Sequence, residues 1–138
     1  MSITRNKNVV RRYFEEFHTQ RATTILEEIV ATDLLQPTRE ATERLRAAFP
    51  DYQITVDEQV AEDDRVATVW TGRGTHTGEW SSPIGPVAPT GKEVSWTATT
   101  TLRVAQGRIT EVIGTNWDHL GILQQLGAIT STAPRPGA

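Results

Sequence analysis

The spacing of hydrophobic residues changes at Tyr52, and this change restricts the possible folds of the 138-residue chain more than any other feature. Before Tyr52, apolar side chains recur every three or four residues, which is typical of amphipathic helices. After it, apolar and polar side chains alternate, which indicates strands with one buried face. Helices followed by consecutive antiparallel strands predict an α+β domain, in which a curved, cone-shaped sheet wraps over N-terminal helices.

The predicted helices occupy the first part of the chain. Spacing predicts helices over 6–17, 22–30 and 39–49, with Thr23 or Thr24 capping the second. Pro37 is expected to end the short run DLLQ before the third helix, because proline lacks a backbone N–H and crowds the preceding turn. A single domain is expected over 1–130, followed by a flexible tail at 131–138 that is rich in Pro and Gly.

Four strands are predicted in the second part, at 52–60, 65–73, 93–104 and 108–116, before a last helix that starts at Asp118. The third strand places Trp96, Ala98, Thr100 and Leu102 on one face and Thr97, Thr99, Thr101 and Arg103 on the other. Arg103 and Glu111 are expected to form an exposed ion pair between neighbouring strands.

The loop 74–94, rich in Gly and Pro, is expected to overhang the mouth of the cone, with 81–88 as an irregular, mobile lid.

Composition argues against several classes of partner. A net charge of -3, with Lys and Arg dispersed along the chain, gives no basic field for nucleic acid. The absence of Cys excludes thiolate chemistry, and the three His show no ligand spacing, so no metal site is expected. No apolar run has the length of a signal peptide or a membrane span, which predicts a cytoplasmic protein without a membrane partner.

Several motifs occur together in a set order: AFPD, GTHxGE, PTGK and QQLG, within stretches such as NKNVVRRYFEEFHTQ and DHLGILQQLG that cover most of the chain. In this order the sequence resembles the SnoaL-like polyketide cyclases of the nuclear-transport-factor-like superfamily. The resemblance implies a cone-shaped α+β barrel, a homodimer paired through outer sheet faces, and a small cofactor-free enzyme of bacterial antibiotic or other natural-product biosynthesis. Most such enzymes close a ring in a polyketide ester by aldol chemistry, and some relatives act in hydroxylation.

The resemblance also implies a set of site residues. The family places an acid/base Asp on the last strand, a His on the strand before it and an amide after the second helix. Here these positions fall on Gly114 or Thr115, on Thr100 and on Gln36, and none of these can abstract a proton. Ring closure is therefore expected to depend on shape and hydrogen bonding, with Gln36 and Thr100 as substrate contacts.

Asp118 is the nearest carboxylate to the missing acid/base position, and Asn116, which lies between, is expected to polarise a carbonyl by hydrogen bonding. Asp118 precedes a helix, so its carboxylate either caps that helix or turns into the cone and transfers protons. An extra residue in EVIGTNWD is interpreted as a β-bulge, which could re-aim these side chains.

Aromatic and His side chains complete the predicted site. His18 lies four residues after Phe14 on the apolar side of the first helix, so it either lines the pocket or bonds to a carbonyl at the helix end. Tyr13 and Trp117 are expected to contact substrate. Trp96, opposite Ala98 and Gly114, either borders a flat apolar slot or fills the core.

His76, in the GTH motif, is expected to fix the hairpin by hydrogen bonds and is included among the substrate-contacting residues.

Three functions remain open at this point. A cyclase acting on a largely apolar polyketide-like substrate is the main hypothesis, and a cofactor-free hydroxylase or other modifying enzyme is the second. The third is a non-catalytic module that binds a hydrophobic metabolite.

Overall fold

The computed structural model describes residues 2–130, and the predicted tail 131–138 lies outside the described residues. The first helix, α1 (Ile3–Arg12), is capped by Ser2, whose hydroxyl accepts a hydrogen bond from the N–H of Arg5 at 3.2 Å. It continues directly into a π-helical segment (Tyr13–Thr19). After a short 3₁₀ turn (Thr23–Ile25) come the helices α2 (Leu26–Ile29) and α3 (Thr32–Ala48).

The strands form one curved sheet and one small hairpin. Strands β1 (Gln53–Glu62), β2 (Arg65–Thr75), β5 (Glu93–Ala105) and β6 (Arg108–Trp117) make an antiparallel sheet in the order β1-β2-β5-β6. Strands β3 (Trp80–Ser82) and β4 (Gly85–Val87) pair separately, and the last helix is α4 (His119–Gln125). The predicted α+β class is confirmed, with an open sheet packed on N-terminal helices.

The core lies between the helices and the inner face of the sheet. Along β5 the buried residues alternate as predicted, with Trp96, Ala98, Thr100 and Leu102 facing inward. The turn between β5 and β6 also forms as expected, with Gln106 and Gly107 both at positive φ. On the outer face Arg103 bonds to Glu111 at 3.0 Å, which confirms the predicted ion pair, and also to Asp64 at 2.7 Å.

The prediction that Pro37 ends a helical run is wrong, because α3 passes through Pro37 without interruption. A proline inside a helix removes one hydrogen bond and costs about 3 kcal/mol. Leu34 and Leu45, on either side of Pro37, pack against the core. Their burial offsets that penalty, since tertiary packing often overrides local helix propensity.

Two further predictions need correction. The segment 22–30 is divided between the 3₁₀ turn and the four residues of α2, and neither Thr23 nor Thr24 makes a capping hydrogen bond. The expected irregular lid contains the β3–β4 hairpin, in which Trp80 pairs with Val87 and Ser82 with Gly85. Gly85 has a φ of 112°, a conformation that glycine adopts readily, so this residue favours the tight turn. None of the helices described over 2–130 has the length and apolar character needed to cross a membrane.

Candidate functional site

A cavity of about 260 Å³ lies between the inner face of the sheet, the π-helical segment and α3; we call it the inner chamber. Its walls are mostly apolar, with a few polar groups, a combination common in small-molecule sites. The volume lies just below the range of ~300–1,000 Å³ typical of such sites. The lining residues are Tyr13, Phe14, His18, Leu34, Pro37, Thr38, Ala41, Thr42, Leu45, Ile54, Trp70, Thr100, Leu102, Val112, Thr115 and Trp117.

The π-helical segment brings Tyr13 and His18 to the same wall. In a π-helix the hydrogen bonds join residues five apart, so residues at that spacing lie nearly one above the other. The rings of Tyr13 and His18 meet edge to face, with centroids 4.7 Å apart. An ordinary α-helix would rotate these two side chains apart, so the local widening of the helix builds this wall.

His18 is buried and held in a fixed orientation. Its Nδ1 lies 2.8 Å from the hydroxyl of Tyr52, and no other hydrogen bond to its ring is formed within the described residues. Burial, together with the positive charges of the nearby Arg46 and Arg21, lowers the pKa of His18 from 6.5 to about 3. The imidazole is therefore neutral near pH 7. When the Tyr52 hydroxyl donates to Nδ1, the ring proton resides on Nε2.

A second polar group lies on the sheet wall. The indole N–H of Trp70 donates to the hydroxyl of Thr100 at 3.0 Å, and that hydroxyl lies 2.9 Å from the hydroxyl of Thr115. Because Thr100 accepts from Trp70, its own proton is available to Thr115. When Thr100 donates to Thr115, the Thr115 proton is available to bond to a molecule in the chamber.

Two register shifts in β6 determine which side chains reach the chamber. Pairing with β5 skips Ile113, which agrees with the β-bulge predicted in EVIGTNWD, and it also skips Thr110, outside that segment. Thr115 pairs with Thr100 and therefore shares the inner face. Gly114 and Asn116 pair with Thr101 and Thr99 and therefore lie on the outer face, away from the chamber.

The structure does not bring the other predicted residues to the inner chamber. Trp96 is 3% exposed, packs against Gly72 and stacks on Trp117, which corresponds to the core role rather than to the border of a slot. Gln36 is exposed on α3, where its amide donates to Glu40 at 3.0 Å.

His76 and Asp118 have local structural roles. His76 is fully buried, and its Nδ1 accepts a hydrogen bond from the N–H of Thr90 at 3.2 Å, which fixes the loop as expected. Asp118 caps α4 by accepting a hydrogen bond from the N–H of Gly121 at 2.9 Å, and its side chain is not part of the chamber wall.

A second cavity of about 320 Å³ adjoins the first; we call it the outer chamber. Four wall residues belong to both chambers: Ala41, Leu45, Thr115 and Trp117. The remaining wall of the outer chamber consists of Arg44, Trp80, Ser81 and His119. The β3–β4 hairpin thus borders this chamber, as the sequence predicts for the loop at the mouth.

Sequence reasoning missed the contribution of α3 and the role of Tyr52. Leu34, Thr38, Ala41 and Leu45 form one stripe at helical spacing, which could have been recognised if the helix had not been divided at Pro37. The alternation that starts at Tyr52 predicts only a strand, and no local pattern signals the long-range contact of Tyr52 with His18. Within residues 2–130, no group of three or more potential metal ligands occurs.

The sequence and the structure were compared with protein families, curated proteins and solved structures. The family model described as SnoaL-like polyketide cyclase matches residues 8–126. A comparison with curated proteins finds no match.

Among solved structures, IdmH from Streptomyces antibioticus, a candidate polyketide cyclase, is 27% identical with a TM-score of 0.73, covering 88% of this chain and 98% of its own. AclR from Streptomyces galilaeus, a candidate hydroxylase, is 24% identical with a TM-score of 0.75, covering 96% and 91%. A SnoaL-like protein from Jannaschia sp. CCS1 is 19% identical with a TM-score of 0.76, covering 94% and 97%. The last two similarities establish the shared fold.

Proposed function

Because the chain belongs to the SnoaL-like polyketide cyclase family, whose members generally act on small polyketide substrates, we propose that it is a cofactor-independent cyclase of bacterial natural-product biosynthesis. The substrate is a largely apolar polyketide-like chain that folds inside the inner chamber. The observation that carries this proposal is the pairing of an apolar cavity with two fixed hydrogen-bonding groups, His18 on the helix wall and the Thr100–Thr115 pair on the sheet wall.

The chamber supports a mechanism without a strong base. No carboxylate is among the described residues that line it, and a His with a pKa near 3 is a poor proton acceptor at neutral pH. Neutral His18 can instead donate a hydrogen bond from Nε2, and Thr115 can donate from its hydroxyl. Donors of this kind polarise a carbonyl and stabilise negative charge that develops on its oxygen.

Shape supplies the remainder of the proposed rate enhancement. The aromatic walls around Phe14, Trp70 and Trp117 restrict the conformers that a flexible substrate can adopt. Holding reacting carbon atoms in a productive geometry removes about 7–11 kcal/mol from the barrier of a well-oriented intramolecular reaction. A cyclisation that needs only orientation and hydrogen bonding is therefore compatible with Thr100, and with Gly114 or Thr115, at the positions that correspond to the acid/base pair of the family.

The test begins with metabolites from a producing strain with and without the gene. Deletion should lead to accumulation of an uncyclised precursor, which the purified protein should convert to a product containing the new ring. Thr115→Val should reduce turnover by about 10-fold or more, since loss of one such donor costs roughly 10²–10³ in a fully committed oxyanion site and less when His18 remains. Thr110→Val, on the same strand but outside the chamber, should have little effect. Equal activity in the two variants would remove Thr115 from the mechanism.

A hydroxylase is the second candidate, supported by the structural similarity to AclR and by the lack of a carboxylate in the chamber wall. Product mass distinguishes the two: hydroxylation adds an oxygen atom, whereas ring closure alone does not. A non-catalytic binding module would bind the precursor without converting it, and Thr115→Val would then alter affinity alone.

A further inference from the structure

The outer chamber has a chemical character that the inner chamber lacks. Its wall contains a guanidinium group, Arg44, and no acidic residue among the described residues that line it. Within residues 2–130, Arg44 makes no ion pair or hydrogen bond through its side chain, whereas Arg39 on the same helix bonds to Glu27 at 3.2 Å. A cation beside a cavity, without a protein partner in the described chain, can pair with an anionic group of a ligand.

Three flat aromatic rings also line this chamber. Trp117 and His119 are nearly parallel, with an interplanar angle of 14° and centroids 5.9 Å apart. Trp80, on the β3–β4 hairpin, is also nearly parallel to His119, with an interplanar angle of 20° and centroids 6.2 Å apart. The aromatic surface that these rings present to the chamber can pack against a conjugated group.

The hydroxyls of Ser81 and Thr115 complete the wall. Arginine binds carboxylates through paired, charge-assisted hydrogen bonds, and the hydroxyl of Ser81 can donate to the same oxygens. Because Trp117 and Thr115 also line the inner chamber, one molecule can occupy both spaces. The two volumes together allow an elongated substrate that the inner chamber alone would not hold.

We propose that the outer chamber is a subsite for the carboxylate end of an elongated, conjugated substrate whose apolar part fills the inner chamber. This inference rests on the proposed function, because it assigns the two ends of the same substrate. Arg44 selects the substrate by charge, and the rings of Trp117 and His119 align the conjugated part between the carboxylate and the reacting carbon atoms.

Matched probes test the subsite without knowledge of the natural substrate. Isothermal titration calorimetry compares 4-(naphthalen-2-yl)butanoic acid with 4-(naphthalen-2-yl)butan-1-ol, which have the same ring and chain. The acid should bind about 10-fold more tightly, the gain expected from a charge-assisted hydrogen bond. This preference should decrease as NaCl is added, because Arg44 is exposed and its charge is screened.

Two variants of α3 separate the local contact from net charge. Arg44→Gln should reduce the preference for the acid to below about 3-fold and leave the affinity for the alcohol unchanged, as expected for loss of the charged partner. Arg39→Gln removes the same charge outside the chamber and should leave the preference intact. Equal loss in the two variants would overturn the subsite, since it would assign the preference to overall charge.

The outcomes also distinguish this inference from the proposed function. If both probes bind wild-type protein with equal affinity, the carboxylate subsite is wrong, while binding in the apolar inner chamber stands. If neither probe binds, both the subsite and the placement of substrate in the inner chamber are overturned. Ring closure itself is decided by the metabolite comparison, which does not depend on Arg44.

Discussion

At the start of α4, the carboxylate of Asp118 accepts a hydrogen bond of 2.9 Å from the backbone N–H of Gly121. The sequence left open whether this residue caps the helix or transfers a proton, and the geometry favours the cap because the side chain lies outside both chamber walls. Asn caps helices about as well as Asp. Asp118→Asn should therefore keep the melting temperature and lose less than about 100-fold in turnover, the lower edge of general acid/base effects.

The comparison variant is Asp118→Ala, which removes the cap and should lower the free energy of unfolding by about 1 kcal/mol. Thermal unfolding and turnover are measured on both variants. A loss of turnover above about 100-fold in Asp118→Asn, with unchanged melting temperature, would make Asp118 the acid/base group instead.

His18 gives the protein a defined dependence of stability on pH. Its pKa is lowered from 6.5 to about 3 in the folded state, mainly by burial, with Arg46 and Arg21 adding charge repulsion. As the pH falls from 6.5 towards 3, the unfolded chain takes up a proton at His18 that the folded chain does not. The stabilisation is therefore fully present above 6.5 and is lost progressively below it, by about 2 kcal/mol at pH 5.

Urea unfolding at pH 7 and pH 5 measures this contribution, with His18→Gln as the comparison. Gln has an amide that can still bond to Tyr52 but does not titrate. The free energy of unfolding should fall by about 2 kcal/mol more in wild-type protein than in the variant over this interval. Equal decreases would show that His18 titrates at its ordinary pKa.

Individual site residues were predictable from sequence to an uneven degree. Thr100 reaches the chamber because alternation along β5 alone determines its face, whereas Tyr13 and His18 share a wall because the helix widens into the π-helical segment. Gly114, Thr115 and Asn116 were not separable by alternation, because the skipped residue Ile113 reverses the faces beyond it. A bulge depends on pairing with the neighbouring strand, and a single sequence does not record that register.

At the scale of whole elements, the β3–β4 hairpin is the part that depends least on the core. It has three paired positions, one of which, Pro86, has no N–H to donate to Ser81. Isolated two-stranded hairpins are only marginally stable, and Ile84 at the tip is 62% exposed. The expectation of a mobile lid therefore applies to this hairpin, although its structure is regular.

Hydrogen–deuterium exchange tests this lid. Amides at 81–88 should exchange faster than those of β5 in free protein, and saturating naphthylbutanoic acid should slow them, since Trp80 and Ser81 border the outer chamber. Amides of the β1–β2 turn at 63–64, remote from both chambers, serve as the internal control. Slow exchange at 81–88 that does not respond to the acid would exclude a lid.

Element boundaries were predictable where one physical signal dominated. Alternation placed the four long strands to within about two residues, the usual precision of boundaries that fray or twist. The π-helical segment, the continuous α3 and the β3–β4 hairpin were not predicted. Each depends on contacts with distant residues, such as packing of Leu34 and Leu45 beside Pro37, that outweigh the local preference.

For the whole molecule, the outer face of the sheet is the surface opposite the chambers. Thr97, Thr99 and Thr101 form a strip of β-branched side chains along β5, flanked by Asn116 from β6. The sequence and its resemblance to a dimeric superfamily predict pairing of two copies through this face. Such pairing would leave the inner and outer chambers accessible, because both lie on the other side of the sheet.

Light scattering during gel filtration measures the mass in solution, and a dimer is expected at micromolar concentration. Thr99→Arg should shift the protein towards a monomer, because two charges brought together and desolvated at a symmetric interface disfavour association. The variant should bind the naphthyl alcohol as wild-type protein does, since Thr99 lies on the face away from the inner chamber. A wild-type monomer at this concentration would show that the outer face is not a dimer interface, and weaker alcohol binding in a monomeric variant would show that the chamber depends on the second copy.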